Sequence, residues 1–139
     1  MAMRRLNVRA AQLDACIELA RFALAAIPKN PKIKKGDILL LSLVAEDALP
    51  LGKIERRVEW CLIYESPEGD PDGSKCRRYW PHEGRTWPWI LKCSEARRVV
   101  RPFSLANLGL SQDYSGQDNP RLISPDDEKI ILPYVNGRG

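Results

Sequence analysis

A single histidine, His82, serves a chain of 139 residues, and that scarcity narrows the available chemistry. The four cysteines, Cys16, Cys61, Cys76 and Cys93, contain no CxxC pair, whereas structural zinc is usually held by closely spaced ligand pairs. The expectation is buried, reduced thiols with neither metal nor cofactor; a zinc site from Cys76, His82 and Cys93 is the alternative. GxSxG, HExxH and a Gly-rich phosphate loop before a helix are all missing, so no catalytic residue is assigned. His82 sits in the turn Trp80-Pro81-His82-Glu83-Gly84, where a lone histidine is more often structural or merely exposed. No apolar run reaches the ~18–20 residues of a membrane span. The basic start, Met1 to Arg5, leads into a segment carrying Asp14 and Glu18 rather than an apolar leader core, so a cytoplasmic protein without membrane contact is expected.

What the chain does have is an ordinary globular composition with unevenly spread charge. Hydrophobic residues at 44% and charged residues at 29% suit one folded domain over 1–139. The net charge is +4, but residues 1–57 carry +5, 58–74 carry −5, 75–101 carry +6 and 102–139 carry −2. Positive charge clustered in this way suits a polyanionic partner.

The periodicity predicts one helix over 8–27, with Asn7 as N-cap, a polar stripe of Asp14, Glu18 and Arg21, and Pro28 as its end. Arg4 to Val8 is a candidate initial strand. A Pro/Lys-rich connection, Lys29 to Lys35, closes in a turn at Gly36-Asp37, and 38–44 reads as a buried strand. After a loop over 45–52, residues 53–65 alternate as a half-exposed strand. Residues 66–86 read as a long loop, of a length that tends to be functional. Strands are expected over 87–93 and 99–105, Pro88 arguing for an edge or a strand beginning. Ser124, Pro125 and the acids behind them mark the start of a final helix running to about residue 132.

Aromatic residues interleaved with arginines are the strongest functional signal. Arg77-Arg78-Tyr79-Trp80 and Arg85-Thr86-Trp87-Pro88-Trp89 place three of the four tryptophans within ten residues. Stacking on such rings stabilises a nucleic-acid base by ~1–3 kcal/mol, while arginines neutralise phosphates. Trp80, Tyr79, Trp87 and Trp60 are therefore the candidate base-binding residues. Arg77, Arg78, Arg85, Arg97, Arg98 and Arg57 are the candidate backbone contacts. Trp60 and Trp89 lie in otherwise apolar strands, where packing in the core competes with a binding role; Trp80, in a polar loop, is the freest of them.

Several short motifs carry a family resemblance. Lys34-Lys35-Gly36-Asp37-Ile38-Leu39-Leu40 resembles the opening of a strand in PUA-like barrels. The later order Trp87-Pro88-Trp89-Ile90-Leu91-Lys92, Arg101-Pro102-Phe103-Ser104-Leu105 and Pro120-Arg121-Leu122-Ile123-Ser124-Pro125 is similar to EVE domains, close to the YTH branch. The resemblance spans about residues 34–132. It implies an α+β protein, a twisted and mostly antiparallel β-barrel flanked by helices, whose relatives hold a modified base in an aromatic cage. By that resemblance Trp80, with Tyr79 beside it, would supply one cage wall; the second wall of YTH relatives falls at Val8-Arg9-Ala10, which has no aromatic residue.

The expected function is a nucleic-acid reader, DNA favoured over RNA, that accepts a flipped and methylated base. Such a module could be the specificity domain of a modification-dependent restriction system, beside a nuclease or NTPase motor. The alternative is an ASCH-like hydrolase of a modified nucleoside using Lys53, Glu55 and Thr86, although Gly52-Lys53-Ile54-Glu55-Arg56 only approximates that branch's signature. A peptide-binding groove is a third possibility.

Overall fold

A computed structural model describes residues 2–29, 31–43, 57–114 and 119–136. The described chain runs β1 (Met3–Val8), α1 (Ala10–Leu19), β2 (Arg21–Leu24), β3 (Ile38–Leu43), β4 (Arg57–Gly69), α2 (Ser74–Tyr79), β5 (Trp89–Ser104), a 3-10 turn (Leu105–Asn107), β6 (Arg121–Leu122) and α3 (Pro125–Asn136). The strands form one curled sheet in the order β2-β5-β4-β3-β1-β6, an α+β half-barrel. Of its five adjacent pairs, β1 with β3 is parallel and the other four are antiparallel.

The unbroken apolar run of β3 follows from its central place. Side chains alternate across a strand, so a strand covered on both faces has no polar face to display. Leu39 and Leu41 enter one core with Leu6, Val8, Leu62, Tyr64 and Leu91. Ile38 and Leu40 enter a second core with Met3, Cys61, Val99, Phe103, Ile131 and Val135. α1 covers the first face and α3 the second. β4 is likewise covered on both faces at 61–64, not half-exposed. Its register shifts between Val58 and Trp60, which sends Val58 to the second core and Trp60 to the first.

Four expectations fail for tertiary reasons. The helix over 8–27 stops at Leu19: Ala20 takes a left-handed conformation (φ 51°), and Arg21–Leu24 becomes an edge strand against Trp89–Lys92. Burying Phe22 and Leu24 on that strand outweighs the helical pattern. Asn7 belongs to β1 rather than capping α1. The loop over 66–86 is interrupted, because β4 continues to Gly69 and α2 forms within it. α2 exists because the buried Asp70 carboxylate accepts the N–H groups of Lys75 (3.0 Å) and Cys76 (2.9 Å), satisfying donors that a helix start leaves open. The two strands expected over 87–93 and 99–105 are one strand of 16 residues. It lies inside the sheet, and Pro88 immediately precedes it. The loop expected over 45–52 lies outside the described residues.

Candidate functional site

Trp80 and Trp87 meet at a single cavity of about 330 Å³. That volume is near the ~300 Å³ lower end for small-molecule pockets. Its other walls are Asn7 and Arg9 at the β1–α1 junction, Gln12 and Cys16 of α1, residues 22–24 of β2 with Ala25 just after it, and Asn119. These segments are up to 112 residues apart in sequence, and the packing of α1 and α2 on one sheet face brings them together.

Each tryptophan is held by its own local device. Trp80 ends α2, donating its backbone N–H to Cys76 O (2.8 Å), and is 6% exposed. The Trp87 backbone is clamped by the Cys76 thiol, which accepts the Trp87 N–H and donates to the Trp87 carbonyl, both at 3.5 Å. Gly73, at φ +74°, packs so tightly on Thr86 that a Cβ there would lie 2.8 Å from its side chain. Gln12 of α1 hydrogen-bonds Glu83 in the turn after Trp80, tying two walls together.

The polar character of the site comes from few groups. Antiparallel pairs alternate their hydrogen bonds; with Cys93 N–H donating to Ala20 O (2.9 Å), Phe22 and Leu24 bond toward β5, and Ala23 turns its backbone groups away from β5, beside the cavity. The Asn119 carboxamide accepts from Asn7 N and donates to Asn7 O, each at 3.0 Å. Burial pushes the Cys16 thiol up to about 12, against a smaller opposing effect of the Trp80 indole, so Cys16 is a neutral wall rather than a nucleophile. Arg9 and Arg85 are exposed at the rim, Arg85 lying 5.7 Å from the Trp87 ring centroid.

The remaining candidates fall elsewhere. Tyr79 stands edge-on to Trp80 (centroids 5.7 Å apart) but does not line the cavity; Arg21 and Arg78 lie 4.9 and 5.0 Å from its ring. Trp60 packs beside the first core under Arg98, 4.9 Å away, and also does not line it. Arg77, Arg78 and Arg85 are exposed near the two tryptophans. Arg97, Arg98 and Arg57 are exposed toward the other end of the β4–β5 ribbon. Nine extended residues separate Trp89 from Arg98, about 30 Å at ~3.3 Å per residue. The expected arginine cluster is therefore two groups. Trp87 lies just before β5, so it shares no strand face with Trp89, and Trp89 is a surface residue at 39% exposure rather than a core one. Thr86 is exposed; Lys53 and Glu55 lie outside the described residues.

All four cysteines are buried and free. Among the described residues, no three His, Cys, Asp or Glu side chains meet in a way that could hold a metal, so Cys76, His82 and Cys93 are not brought together. Nor is any helix there long and apolar enough to cross a membrane. A larger cavity, about 370 Å³, lies on the other sheet face between Arg5, Ser42 and residues 105–114. Its one aromatic ring is Tyr114, whose hydroxyl is committed to Asp127.

No family model matches this chain, and no curated protein matches it. The geometry alone carries the functional argument. Asn7, Arg9, Gln12, Cys16, residues 22–25 and Asn119 had no signal of their own in the sequence, since their shared role depends on strands pairing across long separations.

Proposed function

We propose that this chain is a nucleic-acid-binding module of PUA-like, EVE/YTH-like type that receives an extruded, modified base in the cavity between Trp80 and Trp87. The observation that carries this reading is the convergence of those two indoles, from separate segments, on one cavity of suitable size. Stacking at ~1–3 kcal/mol per base can offset the few kcal/mol that extrusion costs. Ala23 adds a backbone donor and acceptor for the base edge, and Arg77, Arg78 and Arg85 supply charge for the phosphates. The cavity also lies against the β1–α1 junction through Asn7 and Arg9, where no aromatic residue supplies a second YTH-type cage wall.

The proposed partner is DNA ahead of RNA, in the cytoplasm, with the module serving as the specificity element for a nuclease or NTPase motor. Binding of modified and matched unmodified oligonucleotides, single- and double-stranded, at stated salt tests the reading. A preference for one modified strand, reduced by Trp87→Ala, is expected. Equal affinity for every strand would overturn it.

A further inference from the structure

Along α3, Ile131 and Val135 turn into the second core. Asp126, Ile130 and Tyr134 recur four residues apart and so form a separate row beside that buried face. Asp126 and Ile130 are exposed, and Tyr134 is half-buried. Among the described residues Ile130 is one of three large apolar side chains left so open to solvent, and the half-buried Pro133 widens the apolar surface beside it. At the far end of the row Tyr134 lies against Phe103 and under Arg101, whose guanidinium stands 4.6 Å from the ring centroid. Neither Asp126 nor Arg101 has an ion-pair partner among the described residues.

The row runs from an acid through an apolar centre to a cation held flat on an aromatic ring. Turned end for end, it is its own complement, which is what a two-fold interface requires of a patch. We infer that α3 is the interface of a weak two-fold dimer of this chain, in which Ile130 packs on Ile130 of the second copy and Asp126 of each chain pairs with Arg101 of the other. Rows of residues four apart interleave readily between two helices. The charges set the direction: a parallel arrangement would bring Asp126 onto Asp126 and Arg101 onto Arg101, and like charges brought together are unfavourable. One side of a three-turn helix falls short of the ~1,200 Å² that stable interfaces bury, so the association is transient. The inference goes beyond the base-binding reading and does not depend on it. α3 covers the second face of the sheet, whereas the cavity between Trp80 and Trp87 lies on the first, so both cavities stay open in the dimer.

Sedimentation equilibrium on the full chain, from micromolar to millimolar concentration, is expected to show the mass rising from one chain toward two. Ile130→Glu sets two carboxylates face to face at the axis and should weaken association by about tenfold or more. Asp126→Arg and Arg101→Glu should each associate less than wild type, because like charges then meet at both ends. An equimolar mixture of those two variants should recover the dimer, since both contacts again join opposite charges. Ile130→Cys should crosslink to a dimer with diamide, as the four native cysteines are buried. A wild type that stays monomeric throughout overturns the inference and leaves the base-binding reading standing. A dimer indifferent to Ile130→Glu belongs to another surface and overturns it equally. A mixture no more associated than its components overturns the antiparallel pairing. Thermal melts check that each variant folds; where one does not, the wild-type concentration dependence and the Ile130→Cys crosslink decide.

Discussion

The Tyr114 hydroxyl donates to the Asp127 carboxylate at 2.5 Å and so closes the cap of the last helix. Ser124 and Asp127 have the spacing of a capping box, but aspartate is one methylene shorter than the glutamate that usually reaches back. Tyr114 bridges the gap. Asp127 N–H donates to Ser124 Oγ (3.3 Å), Ser124 N–H donates to Tyr114 Oη (3.2 Å), and Tyr114 donates to Asp127. Tyr114→Phe breaks this cycle in a buried setting and is expected to cost about 1–3 kcal/mol. Urea denaturation at pH 7 measures it; a loss within error would mean water replaces the hydroxyl.

The same cycle sets a pH response. Burial would raise the Asp127 pKa, but hydrogen bonds from Tyr114, Ser111 and Ser124 outweigh it and hold it at about 2. The unfolded value is ~3.9. The stabilisation is therefore complete above about pH 4 and disappears as pH falls through about 2. Asp70, also lowered by the N–H groups of α2 against the effect of burial, acts in the same direction. Asp127→Asn should be less stable than wild type at pH 7 and show a shallower decline between pH 4 and pH 2. Parallel stability curves for the two proteins would refute the assignment.

Burial reverses the stability ranking that composition suggests for the tryptophans. Trp80→Ala empties a site in the first core and is expected to cost roughly 3–5 kcal/mol. Trp89 covers Gly69 on the facing strand, with its ring 3.7 Å from where a Cβ would lie, and remains partly in solvent. Trp89→Ala should cost about 1 kcal/mol or less, the scale of a cross-strand pair. Matched denaturation curves decide, and equal losses would show that Trp89 packs more deeply than its exposure indicates.

Much of the fold was legible. Ile38–Leu43 and the Ser124-capped helix each carry their signal within a dozen residues, as an apolar run or a cap, and Arg4 to Val8 was a candidate strand that the structure extends to Met3. The error at Ala20 arose because no glycine marks the left-handed residue and because Arg21 continues the Asp14–Glu18 spacing by coincidence. What makes Arg21–Leu24 a strand is its pairing with Trp89–Lys92, about seventy residues later, and no local pattern records that. Trp80 looked free because its neighbours are polar. Asp70, ahead of Ser74 to Tyr79, was a readable helix-start signal that would have folded Trp80 back onto the core.

Gly73 gives a sharper test of how the tryptophan segments are docked. Gly73→Ala adds a Cβ 2.8 Å from Thr86 at a positive φ, and about 2–4 kcal/mol of destabilisation is expected from clash and backbone strain together. Adding Thr86→Gly should recover the clash and leave the strain. Simple additivity of the two substitutions would show that the loops do not touch in solution.

The split between the arginine groups makes salt dependence length-dependent. A six-base-pair duplex at ~3.4 Å per step spans about 20 Å, short of the ~30 Å that separates the two arginine groups along β5. Replacing Arg77 and Arg78 with alanine should lower the slope of log affinity against log salt by about 1.8 on such a duplex. Arg97→Ala with Arg98→Ala should change it only on longer duplexes. A slope change from Arg97 and Arg98 with the short duplex would place the bound nucleic acid along the β4–β5 ribbon instead.

β6 pairs with β1 only at Arg4 and Arg5, so the outer rim of β1 would otherwise offer Asn7 as an unclaimed rung. A carboxamide carries the same donor and acceptor as a peptide unit, and Asn119 uses both on Asn7. Asn119 thus ends the pairing along β1 and shapes the rim of the cavity with the same carboxamide.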